Sequence, residues 1–219
     1  CGQLSLPSAS KLWFTPDGHW KEPGGYHNYP VSKLIEAALM LENNGYQIFN
    51  QYPILLKASY VMLKYSFPDL TASAFGDTGR PRQSMECLES AILMADRYQL
   101  PILPDLLNAA MIMEQAGQYD RSKSGLTGLL CYLPELPKVK SVNDHLWNRS
   151  EQLDFASCYL QRNGIDPQNG LMCVVQGATY NHNHSNGMSM ELYGAGTVQG
   201  IDPGNGPTYE RNGRHITRL

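Results

Sequence analysis

The chain has 219 residues, 42% of them hydrophobic and 17% charged, with a formal net charge of −3. That is enough apolar material for a core, which excludes wholesale disorder, and no apolar run is long enough for a transmembrane helix. Lys and Arg are scattered singly apart from Arg211, Arg214 and Arg218, which argues against a nucleic-acid binder.

The sequence opens on Cys1 with no Met. Lipoprotein processing leaves an acylated Cys first, and a cut inside a longer protein gives the same start. Next comes an aromatic and polar cluster, Asp17-Gly18-His19-Trp20 followed by Tyr26-His27-Asn28-Tyr29. A phenol can act as general acid or base when a nearby cation lowers its pKa from about 10. His and Asn side chains can hydrogen-bond a carboxylate, and Trp and Tyr faces stack on sugar rings. The 13 Tyr against 5 Phe and 3 Trp suit a carbohydrate groove. They equally suit a tyrosine-rich surface turn packed on helices.

Helical periodicity follows. Residues 32–43 carry Leu34, Ile35, Ala38, Leu39 and Leu41 at helical spacing, with Ser32 as N-cap and Asn44-Gly45 as stop. A second helix is predicted over 48–65, ended by Phe67-Pro68-Asp69, and a third over 83–99. A fourth covers 104–116, with Pro104 at its start and Gly117 at its end. A shorter apolar stretch spans 126–133. Short and medium loops between helices predict antiparallel helix pairs, not βαβ units. Five cysteines without a CxxC exclude a disulfide framework and a Cys-based zinc knuckle. Cys87 and Cys131 sit in apolar helical patterns and read as small buried hydrophobes. Asn148-Arg149-Ser150 matches the glycosylation sequon, a match common by chance.

The pattern then changes. Residues 1–137 read as helical, 138–154 as a linker, and 155–219 as strands. Strands are predicted over 155–161, 171–176, 189–193 and 197–201, broken by Asn163-Gly164 and Gly194-Ala195-Gly196. The fold class is therefore α+β and multidomain, with antiparallel strands starting a β-sandwich.

Between the strands lies Tyr180-Asn181-His182-Asn183-His184. On a strand, positions i and i+2 share a face, so both imidazoles would reach one site. Imidazole suits zinc, and Asp202 at a strand end would add a carboxylate. Solvated histidines in an Asn-rich turn are the other reading. A cupin pattern nearly fits Gly177, His182, His184 and Glu191, but Glu191 follows too far after His184 and the helical half argues against a barrel.

Together these residues resemble the heparinase II/III-like polysaccharide lyases, which include related alginate lyases. The segment DGHWKEPGGYHNY resembles that family's element in an α/α toroid, and Phe75-Gly76-Asp77 its FGD loop. The run from Gly177 to Glu210 is similar to its H-x-H…S-x-E-L-Y-G…D-P-G signature at the start of a β-sandwich. The resemblance implies part of an α/α toroid followed by the first sandwich strands. It also implies β-elimination of a uronic-acid polysaccharide. Tyr29 would serve as Brønsted base and acid, with Tyr26 the alternative register. His182 would neutralise the uronate, and Trp20, Tyr26, His27 and Asn28 would line the substrate. His184 and Asp202 would hold a structural zinc.

The family's upstream Asn/His element and its third metal histidine have no counterpart here, and the context of His215 does not match that histidine. The zinc site is thus expected to be incomplete, and Cys1 to be a cut and not a lipoprotein terminus. The expected partner is an acidic polysaccharide and the expected location a bacterial periplasm or cell surface. No feature sets the oligomeric state. The rival is a non-catalytic carbohydrate-binding protein that keeps the fold without the chemistry.

Overall fold

The computed structural model describes residues 13–20, 25–74, 84–117, 120, 125–131, 150–153, 158–164, 166–177 and 188–200. Within these, six helices precede five strands, a mixed α+β arrangement. The helices are α1 (Gly25–Asn43), α2 (Ile48–Gln51), α3 (Pro53–Lys64), α4 (Met85–Arg97), α5 (Leu103–Gln115) and α6 (Gly125–Leu130).

Helix α1 starts seven residues before the expected Ser32, because Pro30 is accommodated inside it. A proline there removes one backbone bond and ordinarily marks a helix start. Ser32 does not cap: its hydroxyl donates to the Tyr29 carbonyl at 2.9 Å. Val31, Ile35, Ala38 and Leu39 form the fully buried stripe of α1. Gly45, at φ +87°, ends the helix as expected.

The helix expected over 48–65 divides at Tyr52. Pro53 pushes the preceding residue out of the helical region, and Tyr52 lies at φ −128°, ψ 68°. Pro53 then opens α3, where a missing N–H costs nothing. Ser84 caps α4, its hydroxyl accepting from the Cys87 amide at 3.3 Å.

Helix α3 organises the core. Leu55 and Ala58 pack toward α1, α2 and Phe14. Leu63 packs toward α4 and α5, among Leu88, Ile92 and Leu106. Val61 and Met62 face the sheet. Cys87, Cys131 and Cys158 are buried, and burial pushes the Cys87 and Cys158 thiols up to about 12. Cys87 and Cys158 are apolar filling and not nucleophiles.

The strands β1 (Glu151–Leu153), β2 (Cys158–Arg162), β3 (Met172–Gly177), β4 (Met188–Gly194) and β5 (Thr197–Gly200) form one antiparallel sheet in sequential order. Strand β1 falls in the stretch read as linker, and three residues are too few for alternation to announce a strand. Leu153, Cys158, Leu160, Met172, Val174 and Tyr193 point inward onto α3 and Phe67. Tyr159, Met190 and Leu192 point outward and are exposed. Ala195 (φ 50°) and Gly196 (φ 79°) make the β4–β5 turn, both in the left-handed region that a tight hairpin requires.

Candidate functional site

Residues 14–20 close a small hairpin in front of α1. Phe14 bridges Trp20, the Thr15 amide donates to the His19 carbonyl at 2.8 Å, and the Thr15 hydroxyl donates to Asp17. Gly18, at φ +94°, rests directly on α3. A Cβ there would lie 2.6 Å from the Lys57 Cβ and 2.8 Å from the Ala58 nitrogen. The Asp-Gly pair is thus the seat that docks the hairpin.

His27 ties the same hairpin to α1 and α3. Its Nδ1 accepts from the Trp20 amide at 2.9 Å, which leaves Nε2 to carry the proton and donate to the Ala58 carbonyl at 2.9 Å. The ring is fully buried, and desolvation, reinforced by His19, lowers its pKa to about 3. His19 lies 5.2 Å from it between ring centroids and 4.9 Å from Tyr65. Burial lowers His19 to about 4, against the pull of Asp17. Both imidazoles are neutral near pH 7. His27, expected to line the substrate, has both nitrogens committed to the backbone.

Trp20 is half-buried, stacked on Trp13 at 5.4 Å, with Phe14 edge-on at 5.2 Å. Tyr26 and Tyr29, three apart on α1, are exposed, Tyr29 by 73%. Asn28 is half-buried between them. One turn after Tyr29, Lys33 is exposed and paired with Glu36 at 3.1 Å. The structure therefore gathers Trp20 and His27 at the hairpin and leaves the two tyrosines on the outer side of the same helix. His182, His184, Asp202 and the Phe75-Gly76-Asp77 loop lie outside the described residues. Among the described residues, no group of three His, Cys, Asp or Glu could hold a metal ion.

Sequence reasoning placed His19 only within the aromatic cluster, weighed Glu191 only as a cupin ligand and did not single out Lys57. Glu191 is fully buried on β4, and its Oε2 accepts from the Ala74 amide at 3.1 Å. A carboxylate flanked by apolar residues in a strand was the available signal. Nearby, Arg162 of β2 donates to the last α3 carbonyl, Lys64, at 2.5 Å and reaches Glu151 at 3.4 Å. Lys64 meets the same Glu151 at 2.5 Å. Both links join the helical layer to the sheet, and β4 enters directly after the segment that holds His182 and His184.

No known family profile matches the chain. An endo-acting ulvan lyase from Formosa agariphila is 26% identical over 214 residues, which cover 92% of this chain and 26% of that protein. The chain thus spans about a quarter of the length of this relative. The likeness is to a polysaccharide lyase in general and does not single out the heparinase II/III-like branch. No helix among the described residues is long and apolar enough to cross a membrane.

Proposed function

We propose that the chain is part of a polysaccharide lyase that cleaves a uronic-acid polymer by β-elimination. The observation that carries this reading is the likeness to an endo-acting ulvan lyase along almost the whole chain. The exposed phenol of Tyr29, on a helix whose first turn is pinned by His27, is in keeping with it. In the reaction the Tyr29 oxygen takes the proton at C5, α to the carboxylate. The C5 electron pair forms the C4–C5 double bond, and the bond from C4 to the glycosidic oxygen breaks. That oxygen leaves with a proton returned by the same phenol. His182 offsets carboxylate charge as the enolate-like state develops. The pinning of α1 by His27 then serves to hold Tyr29 in place, so we read His27 as a positioning residue and keep Trp20, Tyr26 and Asn28 as substrate contacts.

The finer architecture belongs to the same proposal. Residues 1–137 would be part of an α/α toroid, 138–154 the connection, and 155–219 the first strands of a β-sandwich in a heparinase II/III-like protein. The outward, partly apolar face of the sheet suits coverage by a second sheet. His184 and Asp202 have the donor chemistry of a zinc site, and a structural zinc there would brace the strand ends. They supply two of the about four donors such a site takes. A bacterial periplasmic or surface location fits a polymer too large to enter a cell.

Incubation of the full-length protein with ulvan, alginate, hyaluronan, chondroitin and heparan sulfate tests this. The expected result is growth of the unsaturated-uronate absorbance on at least one of them. Binding of a polymer without new unsaturated ends would instead favour a non-catalytic carbohydrate-binding protein.

A further inference from the structure

A cleft of about 500 Å³ opens between the Phe14–Pro16 arm of the hairpin and the α2–α3 junction. It does not include Tyr29. Lys57 is the one charged residue in its described lining, and the first turn of α3 beside it has no acidic residue. Lys57 is exposed; its stem lies against the Gly18 backbone, and its ammonium donates to the Pro16 carbonyl at 3.3 Å. An ammonium has three N–H donors, so two remain for a ligand. Gln51 adds an exposed amide at the rim, and the half-buried ring of Tyr52 forms one wall. A cation, an amide and an aromatic wall in a cleft of this size match one acidic sugar residue. A second cleft, about 420 Å³ on the outer face of β1–β3, has no cation in its described lining, and its Glu151 carboxylate is taken up by Lys64 and Arg162.

We propose that the hairpin–α3 cleft is a binding subsite for one anionic sugar residue of the polysaccharide, its carboxylate or sulfate on Lys57 and its ring against Tyr52. This rests on the lyase reading and adds a second place where the polymer is held, away from the reacting bond. Binding energy collected there would act on KM more than on kcat.

The test is calorimetric titration of the full-length protein with three tetrasaccharides: a galacturonate oligomer, a sulfated neutral-sugar oligomer and uncharged cellotetraose. Lys57→Met keeps the stem against Gly18 and removes the charge. It should weaken binding of the preferred anionic oligomer about tenfold, the scale of one charge-assisted hydrogen bond. Cellotetraose binding should not change, and Lys57→Arg should restore the preference. The first two arms separate a carboxylate from a sulfate. Gln51→Ala, at an exposed position, is the second variant and should weaken binding without lowering Tm. Equal affinity of wild type and Lys57→Met for both anionic oligomers would overturn the proposal, as would wild-type binding that ignores charge. Elimination that persists while the cleft variants bind normally sinks the cleft and spares the lyase reading. Charge-selective binding at Lys57 without elimination on any polymer does the reverse.

Discussion

His27, a residue that reads as a substrate contact, has both ring nitrogens bonded to the backbone. A histidine between two tyrosines is a reasonable substrate contact, but helix phase turns Tyr26 and Tyr29 outward and the intervening ring inward. No local pattern announced this, because the helix start was hidden by Pro30. The two buried imidazoles give a pH prediction. Their folded pKa values, about 4 for His19 and about 3 for His27, lie below the ordinary value of 6.5. Between those limits the unfolded chain binds more protons, so stability is full above pH 6.5 and is lost as pH falls toward 4 and then 3. Thermal melts across that range should show Tm falling with acid. His27→Phe should flatten part of this slope while lowering Tm at neutral pH. A wild-type Tm that stays flat down to pH 4 would contradict the burial.

At the level of elements, helix interiors were legible and helix starts less so. The buried positions Ile35, Ala38 and Leu39 and the stop at Gly45 follow directly from spacing and side-chain chemistry, whereas Ser84 was not singled out as a cap. The early start of α1 depends on bonds from Trp20 and Ala58 that are distant in the chain. These hold a proline-containing turn that local propensity disfavours. The docking of the 14–20 hairpin on α3 hinges on Gly18. Gly18→Ala meets both positive φ and backbone contact under 3 Å, so it should cost roughly 2–3 kcal/mol by denaturant titration. A cost under about 0.5 kcal/mol would show that the hairpin does not dock as described.

Across the whole molecule, the helical layer and the sheet share the core cluster of Val61, Met62, Phe67, Leu160, Val174 and Tyr193. The sequence reading of helices followed by strands agrees with the order of the described elements. It could not show that Glu191 reaches Ala74 across 117 positions, or that Arg162 closes the end of α3. Glu191→Leu leaves a buried amide without its acceptor and should cost about 2–3 kcal/mol, with Glu191→Gln milder because an acceptor oxygen remains. Arg162→Met leaves the Lys64 carbonyl without its donor and Glu151 with Lys64 as its remaining cation, and should cost about 2 kcal/mol in the same titration. Either variant melting like wild type would mean that these links do not bind the layers together. The proposed elimination chemistry assigns its proton transfers to a different residue, Tyr29. The most direct test is therefore Tyr29→Phe in the full-length protein, assayed for unsaturated ends on whichever polymer the wild type cleaves. The phenol is exposed, so Tm should not change, while kcat should fall by at least about 100-fold, the scale of a lost general base and acid. Full activity in Tyr29→Phe would contradict the account.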